Sequence, residues 1–529
     1  MNSLVVLPVL LPLVTAALAL AFPQRWRVQR WVGLGGALAL LGVAVALLVV
    51  VWHRGILAVQ MGGWAAPFGI TLAADLLSAT LVLLTAVMGT SVGCYALADI
   101  NPPRQRFGFS SLYNVLLAGI CGAFLTGDLF NLYVWFEVLL MASFVLMALG
   151  GERLQLEGTL KYLTLNLVAS ALFLAGAGLL YGVARTLNLA DLSIRVAELR
   201  PEHPHLLAAI AALFLVAFGI KAAIFPLAFW LPASYPTPPA AVAAIFAGLL
   251  TKVGVYALTR VFTLVFPLDG PTGGLLLVLA AASMLVGVLG AASQMQLRRI
   301  LSFHSISQIG YMVFGVSLLI APDPATRTLG LAASLVYVIH HALVKGNLFL
   351  ISGAVAALRG TESLVSLGGL ARTAPWLATL FLVTALSLAG VPPLSGFWAK
   401  LATIKAGLDA GQYLLVTAAL VTGLLTLLSM IKIWNEAFWK AEPATAAPAP
   451  RPQPGAAWRI APIVALTLLM AALGVLPGPL FTLARRAAEQ TQDRAAYVEA
   501  VGLHTRVRLA VSTPPMVAAD APAHAEATP

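Results

Sequence analysis

The chain has 529 residues, of which 60% are hydrophobic and only 10% charged. A soluble chain averages about 45–50% apolar and about 25% charged, so this composition cannot supply a water-facing coat. The excess of basic over acidic residues, 31 against 20, does not point to nucleic acid; in a membrane chain such residues sort between loops. Two cysteines, Cys94 and Cys121, both in apolar runs, rule out a disulfide framework and a thiolate-ligated cluster.

A helix needs about 20 mostly apolar residues to cross the hydrocarbon. Fourteen segments meet this in chain order: 4–21, 31–52, 73–97, 109–127, 129–149, 160–184, 206–231, 240–262, 273–293, 300–320, 328–358, 375–409, 413–439 and 459–483. The expected fold is an all-α polytopic membrane bundle. The first span starts at Leu4 with no basic segment before it and no small-residue cleavage site, which reads as a retained helix and not a signal peptide. Loops after odd-numbered spans carry fourteen Lys and Arg, among them Arg25, Arg27, Arg30, Arg104, Arg106 and Arg298. Loops after even-numbered spans carry seven: Arg54, Arg185, Arg195, Arg200, Arg260, Arg327 and Lys405. The positive-inside rule then places both termini on the outer face of the membrane. From residue 484 a polar tail is expected, Ala/Pro-rich and disordered from about Ser512.

The fifth span carries Glu137 at its middle, with Asp128 at its mouth. A plain reading is a buried acid that caps a neighbouring helix; the functional one is a switchable charge. In the seventh span, Lys221 precedes Pro226, whose ring removes a backbone donor and clashes with the carbonyl of Ala222. Unpaired backbone at membrane depth is tolerated only where protein or water fills in. Lys221 lies about ten residues from the span's end, too deep for easy snorkelling.

Lys252 has about a dozen apolar residues on each side in the eighth span, so it must face the bundle interior. In the eleventh, His341 and Lys345 are four apart and share a helix face. A neutral histidine with an ordinary pKa of about 6.5 can pass a proton to or from such a neighbour. His340 points elsewhere and is a weaker candidate. His304, near the start of the tenth span beside Arg298 and Arg299, reads as a mouth-proximal structural or access residue. Lys400 follows a second break, at Gly390, Pro392, Pro393 and Gly396. Lys432, four residues before Glu436 near a helix end, reads as half of a helical ion pair.

The two interrupted spans, seventh and twelfth, are five helices apart. An odd-numbered repeat inverts topology, so helices 4–8 and 9–13 are expected to be inverted five-helix repeats with discontinuous helices 7 and 12, the pattern that marks a transport site. The expected segments are 1–108 (helices 1–3), 109–262, 263–440, 441–483 (linker and helix 14) and 484–529. Proton movement needs titratable groups linked by water. A lysine beside an ionised carboxylate keeps its proton, and one desolvated and alone gives it up. The sequence has no phosphate loop, no metal-ligand spacing and no nucleophile paired with a base. It therefore points to no cofactor, no metal and no catalytic centre.

Glu137, the run from Lys221 through WLPASYPTPPAAVAAIFAGLLTKVGVYALTR, RRILSFHSISQIGYM, HHALVKGNLFL and AGVPPLSGFWAK together resemble the antiporter-like family shared by respiratory complex I, membrane-bound hydrogenases and Mrp-type cation/proton antiporters. The resemblance covers roughly residues 70–440. It implies fourteen core helices and proton conduction along a central lysine axis, with Glu137 and Lys221 as its ion pair, Lys252 as connecting group and Lys400 as terminal group. The wording AVAAIFAGLLTKVGVYALTR is most similar to the D-type subunits of the Mrp branch, and the C-terminal tail is too short for the complex I subunit with a long lateral helix. Membership would also imply partner subunits in a lipid bilayer, with protons and Na+ as the ions moved. A complex I or hydrogenase relative is the second reading. A stand-alone solute transporter or lipid-processing enzyme is the third, though the loops are short and carry no clustered acids. A sodium site would want several oxygen ligands; the axis offers mainly nitrogen bases, so the cation is expected to cross elsewhere in the assembly.

Overall fold

The computed structural model describes residues 2–65, 68–268, 270–443 and 455–503. The expected disordered end from Ser512 lies outside them, as does most of the linker before the last long apolar helix. Every expected span falls on an apolar helix. In order these are α1 (Leu7–Leu20), α2 (Trp26–Arg54), α3 (Leu76–Asp99), α4 (Phe109–Leu125), α5 (Leu129–Ala148), α6 (Arg153–Ala184), α7 (Pro204–Ala222), α8 (Ala240–Leu264), α9 (Gly270–Ser293), α10 (Leu297–Ser317) and α11 (Pro324–Arg359). Then come α12 in two pieces, Pro375–Ala389 and Ser395–Asp409, α13 (Tyr413–Ile433) and α14 (Ala456–Val475). Among the described residues eleven helices are long and apolar enough to cross a membrane; α1, α4 and the first piece of α12 are apolar but shorter.

Local chemistry sets the helix ends. Asp75, Asp128 and Asp323 cap α3, α5 and α11 by accepting the backbone N–H of Ser78, Asn131 and Thr326 at 2.8, 2.8 and 2.9 Å. Proline opens α7, α11 and α12, where its missing N–H costs nothing.

The chain alternates between two faces. On one, Arg104 pairs with Glu152, Arg298 pairs with Glu362, and Gly369 N–H donates to Lys440 O. This face gathers the arginine-rich loops. On the other lies a β-hairpin, β1 (Leu57–Gln60) against β2 (Thr71–Ala74), antiparallel with Leu57 opposite Ala74. A surface helix, Leu189–Leu199, shares that face.

Two further helices, α15 (Pro477–Gln492) and α16 (Arg494–Val501), lie over the hairpin face where a polar tail was expected from residue 484. The last long span therefore ends at Val475, eight residues earlier than expected, because Pro477 starts a new amphipathic helix rather than continuing the old one. Its buried stripe is Leu480, Ala484, Ala487, Ala488 and Thr491.

Burial runs from rim to centre. The most apolar window of α8 is wholly buried and those of α10 and α11 are 83% buried, against 33% for α13 and α14. The helices that carry Lys252, His304, His341 and Lys345 are thus the innermost. Their charged and polar side chains meet protein, which is the arrangement intramembrane charges require.

Candidate functional site

In the first half, α7 ends at Lys221–Ala222 and Ala223 adopts a left-handed conformation, φ 59°. The backbone freed by the break is re-satisfied locally. Ile224 N–H reaches Gly219 O, the Trp230 indole N–H donates to Ile220 O at 2.9 Å, and Phe225 N–H donates to Ser283 Oγ at 3.0 Å. Helix α8 crosses this point at Gly254, where any Cβ would overlap Ala222 N and the Lys221 carbonyl carbon.

Lys221 is buried, with its ammonium 5.4 Å from the centroid of the Phe136 ring. It donates to Asn166 O and to Ser170 Oγ, both at 3.3 Å. The Ser170 hydroxyl in turn donates to Glu137 Oε1. Glu137 and Lys221 are therefore joined through one hydroxyl from α6. The sequence reading brought the pair together but missed Ser170 and Asn166. Their signal was present as two small polar residues four apart in an otherwise apolar span.

Lys252 is 1% exposed. It follows a π-turn, Phe246–Leu250, within α8. That wide turn leaves Ala247 O available, and the Lys252 ammonium donates to it. Lys345 is fully buried and donates to Leu301 O of α10 at 2.9 Å. His341, on the same face, is also fully buried, with neither ring nitrogen hydrogen-bonded to protein. An unpartnered buried polar group costs about 1–3 kcal/mol, so these nitrogens are places for internal water.

In the second half the break repeats the construction of the first. Gly390 is left-handed (φ 92°), Val391 N–H reaches Leu386 O as Ile224 reaches Gly219, and a cis X-Pro bond lies three residues past the left-handed position in both, at Pro226 and Pro393. Pro392 precedes it. Lys400 reaches back across this break to donate to Ala389 O at 2.7 Å, with its ammonium 5.4 Å from the Tyr311 ring centroid. Tyr311 stacks on Tyr337 at 4.9 Å, the Tyr337 hydroxyl donates to Gln308, and Tyr337 meets the His340 ring edge-on at 5.9 Å.

Two expectations change and one holds. His304 is not at the mouth: α10 begins at Leu297, and the ring lies fully buried, hydrogen-bonded to Ser429 Oγ at 2.8 Å. His340, expected to point away from the Lys345 face, does so: it faces the second break, where Nδ1 meets Ser395 Oγ at 2.9 Å and Nε2 has no partner. Lys432 does not pair with Glu436. Its ammonium donates to Ala292 O and Gln294 O, both at 2.7 Å, at the end of α9, where carbonyls lack helical partners, and Glu436 pairs instead with Lys440 at 2.6 Å. Asp128 stays at the mouth of α5 as that helix's cap; burial pushes its carboxyl up to about 6.

One charge counted as a loop residue is internal. Arg260 and Asp75 form an ion pair at 2.6 Å, 2% and 1% exposed. Tyr256, Ser78 and Tyr497 surround it.

A family model for the membrane region of NADH:quinone oxidoreductase and Mrp antiporter proteins matches residues 126–426, which span both breaks and every lysine of the axis. The chain belongs to that family. Among its relatives, the D-type subunit of the Na(+)/H(+) antiporter of Alkalihalophilus pseudofirmus is 44% identical over 502 residues, covering 95% of this chain and 99% of the relative. A chain in the structure of the Mrp complex from Dietzia sp. superposes with a TM-score of 0.86 at 34% identity, covering 94% of this chain and 99% of that one. A chain of respiratory complex I from Thermus thermophilus gives 0.73 at 28% identity, covering 90% and 99%. This family member therefore has the fold of a membrane subunit, and its relatives are parts of multisubunit assemblies.

Proposed function

We propose that this chain is the D-type subunit of an Mrp-type Na+/H+ antiporter, and that it carries protons along Glu137, Lys221, Lys252, His341 with Lys345, and Lys400, with His340 and His304 beside the second half. The observation that supports this best is how the lysines are held. Lys252, Lys345 and Lys400 each donate to a single backbone carbonyl, two of them at a π-turn or a helix break. A neutral acceptor holds an ammonium without locking in its charge, as a carboxylate would. The one carboxylate partner is at the Glu137 end, joined through a hydroxyl that can itself relay a proton. The two breaks, alike in construction, fit inverted repeats over helices 4–8 and 9–13.

The arginine-rich face is the cytoplasmic one on this reading, and the hairpin face with both termini is the outer one. The chain acts as a transporter component without a reaction of its own, and the exchanged cation crosses elsewhere in the complex. The complex I relation supports a second reading, proton pumping in a respiratory enzyme, but the identity to the antiporter relative is higher. The test is Glu137→Gln in the assembled complex. Na+-driven proton movement in everted vesicles should be abolished while the complex assembles; normal exchange would overturn the relay.

A further inference from the structure

The axis describes how a proton moves between buried groups, but not how it reaches Lys252. A small cavity of about 30 Å3 touches that lysine. A water needs roughly 10–15 Å3 measured in this way, so about two fit. Its walls come from α3, α8, α11 and α15 and are mostly Leu, Val and Ala; the polar side chains on them are Lys252, Tyr256, Thr259, Ser334 and Thr491. Its α15 wall belongs to the helix pair that lies over the hairpin face.

Lys252, Tyr256 and Arg260 are spaced four and four along α8 and share one stripe. The stripe ends in the buried Arg260–Asp75 pair. Hydroxyls fill the interval. Ser78 Oγ donates to Asp75 Oδ1 at 2.8 Å and lies 3.4 Å from the Tyr256 hydroxyl, which donates to Phe124 O at 2.7 Å; the Tyr256 side chain lines the cavity with Lys252. Arg260 donates to Ser78 Oγ at 3.2 Å and to the Tyr256 hydroxyl at 3.3 Å, and its Nη1 has no partner. A buried ion pair is expensive to keep and adds little stability over apolar packing, and an orphaned donor beside it adds to that cost.

The cover over this network is the pair α15 and α16. It is strapped down by side chains at its edges. Gln490 accepts Leu76 N–H at 2.7 Å, Gln492 donates to Thr328 at 2.9 Å, Arg494 donates to Thr263 O at 2.9 Å, and the Tyr497 ring lies 5.5 Å from the Arg260 guanidinium. The face turned to the cavity is Ala and Thr, small enough to leave room for water.

We propose that protons reach Lys252 from the hairpin face through this cavity, with the Asp75–Arg260 pair as the gate and α15–α16 as its cover. Asp75 takes the proton at the outer end, Ser78 passes one on to the Tyr256 hydroxyl, and that hydroxyl turns from Phe124 O to hand its own proton to the cavity waters and so to Lys252. Each hydroxyl gives one proton as it receives one, so none changes its charge. This rests on the proton-relay reading above.

The test is made in the assembled complex. Ala488→Leu fills the cavity and Tyr256→Phe removes the inner hydroxyl; each should slow Na+-driven proton movement at least tenfold. Arg485→Ala, on the exposed side of α15, should leave it unchanged. Full exchange by both assembled variants, with Lys252→Ala inactive, would overturn the access path and leave the axis standing. Full exchange by Lys252→Ala would instead overturn the relay reading itself. A second measurement does not depend on how the cavity variants fold. Thr491→Cys places a thiol in the wall, and Ag+, a water-sized cation, added on the hairpin side should block exchange well beyond its effect on the parent chain with Cys94 and Cys121. Equal sensitivity in the two chains would overturn the proposal.

Discussion

Ser170 is the sharpest place to probe the first half, because the two charged groups meet only through it. Its hydroxyl reaches Glu137 Oε1 and, at 3.1 Å, Asn166 O, with the Glu137 contact the shorter, and a lone pair receives Lys221 at 3.3 Å. Ser170→Ala removes both bonds at once. A hydrogen bond to a charged group contributes about 1.5–3 kcal/mol, and the long Lys221 contact argues for the lower end. Each 1.36 kcal/mol is a factor of ten in rate, so a loss of about 1.5–2 kcal/mol in the transfer step slows exchange roughly 10- to 30-fold. The assay is Na+-dependent collapse of a proton gradient in everted vesicles, with complex assembly checked by native electrophoresis. Ser170→Thr keeps the hydroxyl and should recover most of the rate. An assembled Ser170→Ala complex with the parent rate would show that Glu137 and Lys221 do not communicate through this hydroxyl.

Lys252→Ala removes the titratable group of α8, and Lys252→Arg keeps charge but does not release a proton at working pH; both should abolish exchange, and full transport by the arginine variant would make Lys252 an electrostatic post. Lys400→Ala should assemble and be inactive. Lys400→Glu should keep partial activity at lower pH, since only a protonated carboxyl can donate to Ala389 O as the lysine does; full activity in Lys400→Ala would remove it from the path. Asp128 tests the mouth of α5. Its carboxyl is held at about 6, above the unfolded value of about 3.9. Its contribution to stability is therefore present below about pH 4 and lost as pH rises through 6. Asp128→Asn keeps the cap without a charge to bury, so its melting temperature should gain on the parent's between pH 4 and 7, by up to about 3 kcal/mol in stability. A gap that does not change with pH would refute the burial argument.

What the sequence settled was set by the bilayer's thickness and by the cost of charge in it. Fourteen apolar runs had to be helices, because backbone in hydrocarbon must satisfy itself. Lys252 had to face inward, because a mid-span lysine cannot reach water. Proline and glycine marked both breaks, since their effect on the backbone is local and needs no partner. The tertiary structure decided everything that depends on which helices are neighbours. Ser170 looks like any small residue of a membrane helix until α6 sets it between Glu137 and Lys221. Asp75 and Arg260 stand near helix ends, where charges ordinarily meet water; here they are buried among Ser78, Tyr256 and the Tyr497 ring of α16. Glu436 had a lysine four residues away on each side, at 432 and 440, and the open carbonyls at the end of α9 drew Lys432 away. Nothing in FAGLL distinguishes a π-turn from an α-turn by composition, yet that turn presents the carbonyl that holds Lys252. A side chain's depth follows from the run around it, whereas its partner comes from a chain segment tens or hundreds of residues away, and no local pattern records that.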